Sequence, residues 1–225
     1  MILNKTAKNL LNNSYISRFP VSYRCKKLIA FSLAEVLVTL LIIGVIASLV
    51  VPALINETKE AEFHTAWKKA YSDIEQVTRR IVMDNSGGIL SQCNIFPNKN
   101  ECLRDYFLNY FNYTKKCDYA CYGSNCWHYS NSWKMLNDSP AGAACGASAI
   151  LTNGNLLHFH LSNSGNGGWI LVDINGFKKP NTIGKDIFGI SLLPNSIKPY
   201  GIENDLYQNT CSSTGWGCAA IYLYR

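Results

Sequence analysis

The chain has 225 residues, of which 48% are hydrophobic and 16% charged, and its formal net charge is +6. All of the excess charge lies in residues 1–30, which contain six Lys and Arg residues and no acid. The remaining residues carry 15 basic and 15 acidic side chains and are neutral, which argues against a strongly basic surface for nucleic acid, although a local patch is left open.

An apolar segment, residues 31–51, follows the basic region and has Glu35 as its only charge. At about 1.5 Å of rise per residue, a helix of this length spans roughly 31 Å, the thickness of a bilayer's hydrocarbon core. Unlike the core of a secretory signal peptide, the apolar run continues past Pro52 into helix-forming sequence. Lys26 and Lys27 precede it directly, so the positive-inside rule places the N-terminus in the cytoplasm and the residues after Pro52 outside.

Glu35 is the residue of this segment that needs an explanation. An isolated carboxylate in a lipid-facing helix costs several kcal/mol unless it finds a partner or is neutralised. Cleavage between Ala30 and Phe31 would create an amino group one helical turn from Glu35. That amine could pair with Glu35 of the same chain or of a neighbouring chain.

Residues 31–52 resemble the N-terminal signature shared by type IV pilins and the pseudopilins of type II secretion. In that family a basic leader is cut before a Phe or Met that becomes N-methylated, a Glu is fifth in the mature chain, and a Pro is near the twenty-second position. Counted from Phe31, Glu35 is fifth and Pro52 is twenty-second, while Ala30 stands where the family usually has Gly. The resemblance implies that a prepilin peptidase cleaves between Ala30 and Phe31, removes residues 1–30 and methylates Phe31. Residues 31–52 would then form the transmembrane helix and the core of a fibre.

Apolar residues recur at spacings of three and four after Pro52, which predicts that one helix runs from about 31 to 84. Pro52 is expected to bend or loosen this helix, and the sequence from Asn85 to Gly88 to end it. The amphipathic part, residues 53–88, is expected to lay its apolar stripe on a globular head. The stripe comprises Phe63, Trp67, Ala70, Ile74, Val77 and Ile81.

Cysteines indicate an exported, disulfide-stapled head over residues 89–225. Cys25 falls in the predicted leader, and removing it leaves an even number, which allows up to four disulfides and 105 complete pairings. The crowding of three cysteines near His128 resembles a metal site, but an oxidising compartment favours disulfides. Residues 89–148 are expected to form Cys-rich loops and short helices. The eight cysteines are Cys93, Cys102, Cys117, Cys121, Cys126, Cys145, Cys211 and Cys218.

Residues 149–225 are expected to contain an antiparallel sheet and a C-terminal loop. Residues 149–152 and 155–161 flank Asn153-Gly154, a dipeptide typical of a hairpin turn. Residues 169–174 are predicted as a third strand and residues 219–224 as a short terminal strand. The predicted fold class is therefore α+β and pilin-like, with a long N-terminal helix packed on a β-meander head.

Two groups of side chains in the head are candidate metal-binding sites. Residues 172–188 resemble a recurrent element of pilin-like proteins, and Asp173, Asn175 and Asp186 could offer oxygen ligands to calcium, the only cofactor considered. The alternative is that these side chains cap turns, as Asp and Asn often do. His158 and His160 share one face of a predicted strand. They could be metal ligands, and the alternative is that they form the polar side of that strand.

A further candidate is the C-terminal segment between Cys211 and Cys218. These two cysteines could close a small loop that presents Trp216 for subunit contacts or adhesion. The alternative is a staple that fixes the end of the chain.

The sequence carries no recognisable catalytic motif, so we do not expect an enzyme. The leading interpretation is a structural subunit of a type IV pilus or type II secretion pseudopilus, anchored in the inner membrane by one span with its head outside. Its expected partners are other subunits, the prepilin peptidase, the inner-membrane assembly platform and membrane lipid. The alternatives are a minor or tip subunit that binds a surface, a glycan or DNA, and a membrane-anchored enzyme or sensor.

Overall fold

The computed structural model describes residues 31–85, 88–93, 98–162 and 167–224. The chain divides into two units, residues 1–49 and 50–225, which are described separately. Within the first unit, the described part contains the beginning of a long helix. The predicted leader, with Cys25 and the predicted cleavage residue Ala30, lies outside the described residues.

Helix α1 runs from Leu33 to Asp84 and includes Pro52, which confirms the prediction of one helix from about 31 to 84. In the second unit, the predicted apolar stripe of α1 faces the head. Five of its six residues are buried and Phe63 is partly buried against the same core. The spacing of three and four thus placed the packed face of the helix correctly.

The described residues of the head form three further helices and one sheet of six strands in the order β1 to β6, each antiparallel to its neighbours. This arrangement is a simple meander and confirms the α+β class. The elements are α2 (Gly88–Cys93), α3 (Lys99–Leu108), β1 (Tyr113–Ala120), β2 (Gly146–Leu151), β3 (Leu156–Leu161), β4 (Gly168–Asp173), β5 (Ile187–Leu192), β6 (Ile197–Pro199) and α4 (Cys218–Tyr224).

The predicted hairpin is confirmed as β2 and β3, joined at Asn153-Gly154, where Gly154 has a φ of +91° that suits glycine. The predicted third strand corresponds to β4. The predicted terminal strand is wrong, because residues 219–224 lie in helix α4. The small residues Ala219 and Ala220 favour a helix and let it approach the core closely, where both are buried.

Both faces of the sheet are covered, because alternate residues of each strand point to opposite sides. On one face, the Trp67 ring of α1 stacks on Phe188 with centroids 4.6 Å apart, and Phe107 of α3 lies 5.4 Å from Phe159. On the other face, the loop after β1 contributes Trp127, whose ring lies 5.2 Å from that of His158. The head therefore has a core on each side of one sheet.

Four disulfides join the eight cysteines of the described residues, and the three cysteines near His128 are all among them. Disulfides 117–126 and 121–145 enclose the loop after β1, and 211–218 closes the predicted C-terminal loop. The pairs are Cys93–Cys102, Cys117–Cys126, Cys121–Cys145 and Cys211–Cys218.

Candidate functional site

A reciprocal cap opens helix α1. The backbone N–H and the hydroxyl of Ser32 both donate to Oε2 of Glu35, at 2.8 and 2.9 Å, and the Glu35 N–H donates to the Ser32 hydroxyl at 3.2 Å. This is the capping box, in which a Ser at the helix start and a Glu three residues later satisfy each other's backbone donors. It explains why an acid is tolerated at this end of an apolar helix.

The apolar surface that follows the cap is exposed on every side. The large hydrophobic side chains from Val36 to Ile55 are all between 43% and 73% exposed. The helix is long and apolar enough to cross a membrane by length and composition, and none of its most apolar stretch is buried within the chain. A surface of this size and hydrophobicity needs lipid or other protein around it.

The other residues predicted for processing and assembly fall on the same segment. Phe31 lies immediately before the cap with its side chain 80% exposed. Pro52 lies inside α1 and is exposed. The cap leaves Glu35 Oε1 without a protein donor among the described residues.

A buried polar pair lies in the head, beneath the loop after β1. Nε2 of His128 and Oδ2 of Asp173 share a hydrogen bond of 2.6 Å, and both side chains are almost fully buried. Burial raises the pKa of Asp173 to about 6, and the hydrogen bond to His128 offsets only part of this effect. The pair joins the end of β4 to a residue of the loop after β1 that lies 45 positions earlier in the chain.

Asp186, which the sequence groups with Asp173 and Asn175, holds the turn before β5. The backbone N–H groups of Asn181 and Thr182 donate to its two carboxylate oxygens at 2.8 and 2.6 Å. Burial raises the pKa of Asp186, while these hydrogen bonds lower it. Its carboxylate thus closes the loop between β4 and β5.

The contacts of Asp173 and Asp186 favour the turn-capping interpretation over a calcium site. The second oxygen of Asp173 accepts the Asn175 N–H at 3.0 Å, so all four carboxylate oxygens already have hydrogen-bond partners within the chain. Within the described ranges, no group of three or more His, Cys, Asp and Glu side chains is arranged to hold a metal. Calcium binding stays a prediction.

His158 and His160 each hold the structure at a different point. Nδ1 of His158 shares a 2.7 Å hydrogen bond with the Ser148 hydroxyl, and Nδ1 of His160 contacts the Cys145 carbonyl at 2.7 Å. Burial lowers the pKa of His158 to about 3. Both rings stack on Trp169, so they form an aromatic layer on one face of the sheet.

Trp216 is partly buried in the C-terminal loop. Its ring lies 5.6 Å from Tyr207, 5.8 Å from Tyr200 and 6.2 Å from Trp133. These contacts favour the interpretation of the 211–218 disulfide loop as a staple at the end of the chain.

An aromatic cleft that the sequence did not indicate lies beside the buried pair. Tyr129 and Phe177 are half exposed along it, and His128 forms part of its wall. These two aromatic residues belong to different loops and lie 48 positions apart, so neither periodicity nor motif spacing could have brought them together.

No family model, curated protein or solved structure matches this chain. The candidate sites therefore depend on geometry and on the residues of the N-terminal segment. The capped apolar helix exposes many large hydrophobic side chains, and the cleft of the head is lined by aromatic, hydroxyl, amide and imidazole groups.

Proposed function

We propose that this protein is a structural subunit of a type IV pilus or type II secretion pseudopilus, assembled through its N-terminal helix after cleavage between Ala30 and Phe31. One observation carries the proposal: a capping box at Glu35 opens a membrane-length helix whose apolar side chains are exposed all round. The resemblance of residues 31–52 to the pilin signature supports it. The proposed role is structural and not catalytic.

The cap would survive the proposed cleavage, because both of its residues lie after the cut. The Ser32 N–H is an amide in the precursor and in the mature chain, so Oε2 of Glu35 would keep its donors. Oε1 would stay available to an amine at Phe31, in the same subunit or in a neighbour. Such a pair would offset the cost of a carboxylate at membrane depth.

The exposed apolar side chains would have lipid as their first partner and other subunits as their second. Before assembly the helix would anchor the protein in the inner membrane with the head outside. The assembly platform would then draw subunits into a fibre, in which each helix packs against others. We expect burial of this surface to hold the filament together, at about 25 cal/mol per Å² of apolar area.

The first test is the mass of the N-terminal peptide of the protein from its native membrane, with and without the prepilin peptidase. We expect a mature chain that begins at N-methylated Phe31 and is lost when the peptidase is absent. A chain that keeps residues 1–30 in both strains would overturn the proposal.

The second test separates the charge of Glu35 from its capping role. Glu35→Gln keeps a side-chain oxygen for the Ser32 N–H but removes the charge, so we expect normal cleavage and a more than tenfold loss of sheared filaments. Ser32→Ala is the matched control, since it removes two hydrogen bonds of the cap and keeps the charge. Normal filament yield with Glu35→Gln would show that the carboxylate serves only as a helix cap.

A further inference from the structure

A cleft of about 370 Å³ opens on the head between the loop after β1 and the loop after β4. Its described lining comprises Ser124, Asn125, His128, Tyr129, Ser132, Phe177 and Asn181. No Asp, Glu, Lys or Arg is among these residues. The volume lies at the small end of the range for ligand sites, about 300–1,000 Å³, and is enough for a monosaccharide or a disaccharide.

Two aromatic rings stand at this cleft with much of their surface exposed. Tyr129 is 59% exposed and Phe177 is 50% exposed. The rings of Phe177 and His128 pack edge to face, with centroids 5.3 Å apart and planes at 74°. Because the hydrogen bond to Asp173 holds His128 in place, the Phe177 ring packs against a fixed side chain.

Asn181 supplies an unmatched acceptor to the same cleft. Its backbone is fully used, because its N–H donates to Asp186 and its carbonyl accepts the Lys134 N–H at 3.1 Å. Its side-chain Oδ1 is a buried atom that has no hydrogen-bond partner among the residues that the structure describes. A sugar hydroxyl in the cleft would offer the Asn181 side-chain amide a hydrogen-bond partner.

The walls of the cleft are held before any ligand arrives. Disulfides 117–126 and 121–145 restrain the loop that carries Tyr129. Two backbone hydrogen bonds at Lys134, one to Asn181 and one from Ile183, tie the loop after β4 to its neighbour. A pre-formed cleft loses little entropy on binding.

We propose that this cleft binds a neutral saccharide, with a sugar ring against Tyr129 and Phe177 and a hydroxyl hydrogen-bonded to the side-chain amide of Asn181. Aromatic faces match the apolar C–H face of a pyranose, while the amide and hydroxyl groups match its hydroxyls. The uncharged lining favours a neutral sugar over an acidic glycan or a nucleic acid, whose phosphates call for Lys and Arg. This site goes beyond a structural role in a filament.

The test uses the purified full chain in an amine-oxide detergent, since maltoside and glucoside detergents would compete for the cleft. The probes are an array of neutral hexose and N-acetylhexosamine oligosaccharides, an array of sialylated oligosaccharides and a labelled oligothymidylate. We expect binding to one or more neutral oligosaccharides, followed by measurement of the dissociation constant by calorimetry. No binding to the neutral array, or binding to the acidic probes alone, would overturn the proposal.

Variants then locate the binding on the protein. Tyr129→Ala and Phe177→Ala change exposed side chains, so we expect normal folding and a loss of affinity of at least tenfold for each. Asn181→Gly keeps the backbone at its φ of +50° and removes the amide, and should cost about fivefold. Tyr113→Ala, on an exposed tyrosine of β1, is the matched control and should bind as the wild type does.

Affinity unchanged in both aromatic variants would place the sugar elsewhere and overturn the assignment of the cleft. Circular dichroism of each variant checks that the head is folded before binding is scored. The assay does not depend on filament assembly, so either proposal can fail without the other.

Discussion

The indole N–H of Trp67 donates a 2.9 Å hydrogen bond to the carbonyl oxygen of Ala219, 152 residues further along the chain. The same ring is fully buried and stacks on Phe188 of β5. Helix α1, the sheet and helix α4 therefore meet at one side chain.

We predict that Trp67→Ala destabilises the head by about 3–5 kcal/mol, because it removes a large buried ring and leaves a cavity. Trp67→Phe keeps much of the ring but removes the hydrogen bond, and should cost less. The measurement is urea unfolding of the full chain in detergent, followed by circular dichroism. The matched control is Met83→Ala on the same helix, where an 81% exposed side chain should change stability by less than about 0.5 kcal/mol.

Arg104 is the charged residue of α3 whose loss should matter most. Its guanidinium is 2% exposed and contacts Asp105 at 2.9 Å, Asp118 at 3.0 Å and the Cys117 carbonyl at 2.6 Å. Both acids are exposed, so water still hydrates them when the Arg104 guanidinium is removed. The Cys117 carbonyl, in contrast, loses its charged donor. We predict that Arg104→Met costs about 2–3 kcal/mol in urea unfolding.

A matched control for Arg104 is Asp118→Asn. Asp118 is 83% exposed, so removing its charge should cost less than about 1 kcal/mol. Equal losses in the two variants would mean that the ion pair, and not the bond to the backbone of β1, is the main contribution.

The long helix, its packed face, the hairpin and β4 follow from the sequence because each has a regular apolar period. Strand β1 was missed since nearly all of its side chains from Tyr113 to Ala120 are exposed, which leaves no alternation to detect. The apolar run of residues 219–224 predicts a strand, but short buried helices share that pattern. Their true conformation depends on contacts with Trp67, which the local sequence does not contain.

The candidate sites likewise divide into one that the sequence predicts and one that it does not. Glu35 is recognisable because a charge in an apolar run is costly, whereas its cap with Ser32 is found only in the structure. The pair of His128 and Asp173 depends instead on a loop folding back over the sheet, and no local spacing predicts that. Residue spacing therefore predicts contacts within one helix more readily than contacts between loops.

Asp173 should make the stability of the head fall as pH rises from about 4 to about 6. Its pKa is near 6 in the folded protein and 3.8 is its ordinary value, so the folded state keeps a proton that the unfolded chain releases. The free energy of unfolding should thereby lose up to about 3 kcal/mol from this carboxyl across that window. Asp173→Asn removes the titration, so its stability relative to the wild type should improve between pH 4 and pH 6 in urea unfolding.

The opposite trend for Asp173→Asn would have a definite meaning. It would show that an ion pair with protonated His128 outweighs burial and lowers the pKa of Asp173.

His158 should act in the reverse direction and make the head sensitive to acid. Burial lowers its pKa from 6.5 to about 3, so below about pH 6.5 the unfolded chain takes up a proton that the folded state refuses. Stability contributed by this group is present at neutral pH and is lost as pH falls toward 3, by several kcal/mol in all. His158→Asn should be less stable at pH 7, because its ring no longer packs between Trp127 and Trp169, but its stability should decline less between pH 6.5 and pH 4. Urea unfolding at half-unit steps of pH measures that slope, and an unchanged slope would mean that the folded head takes up a proton at His158 as readily as the unfolded chain does.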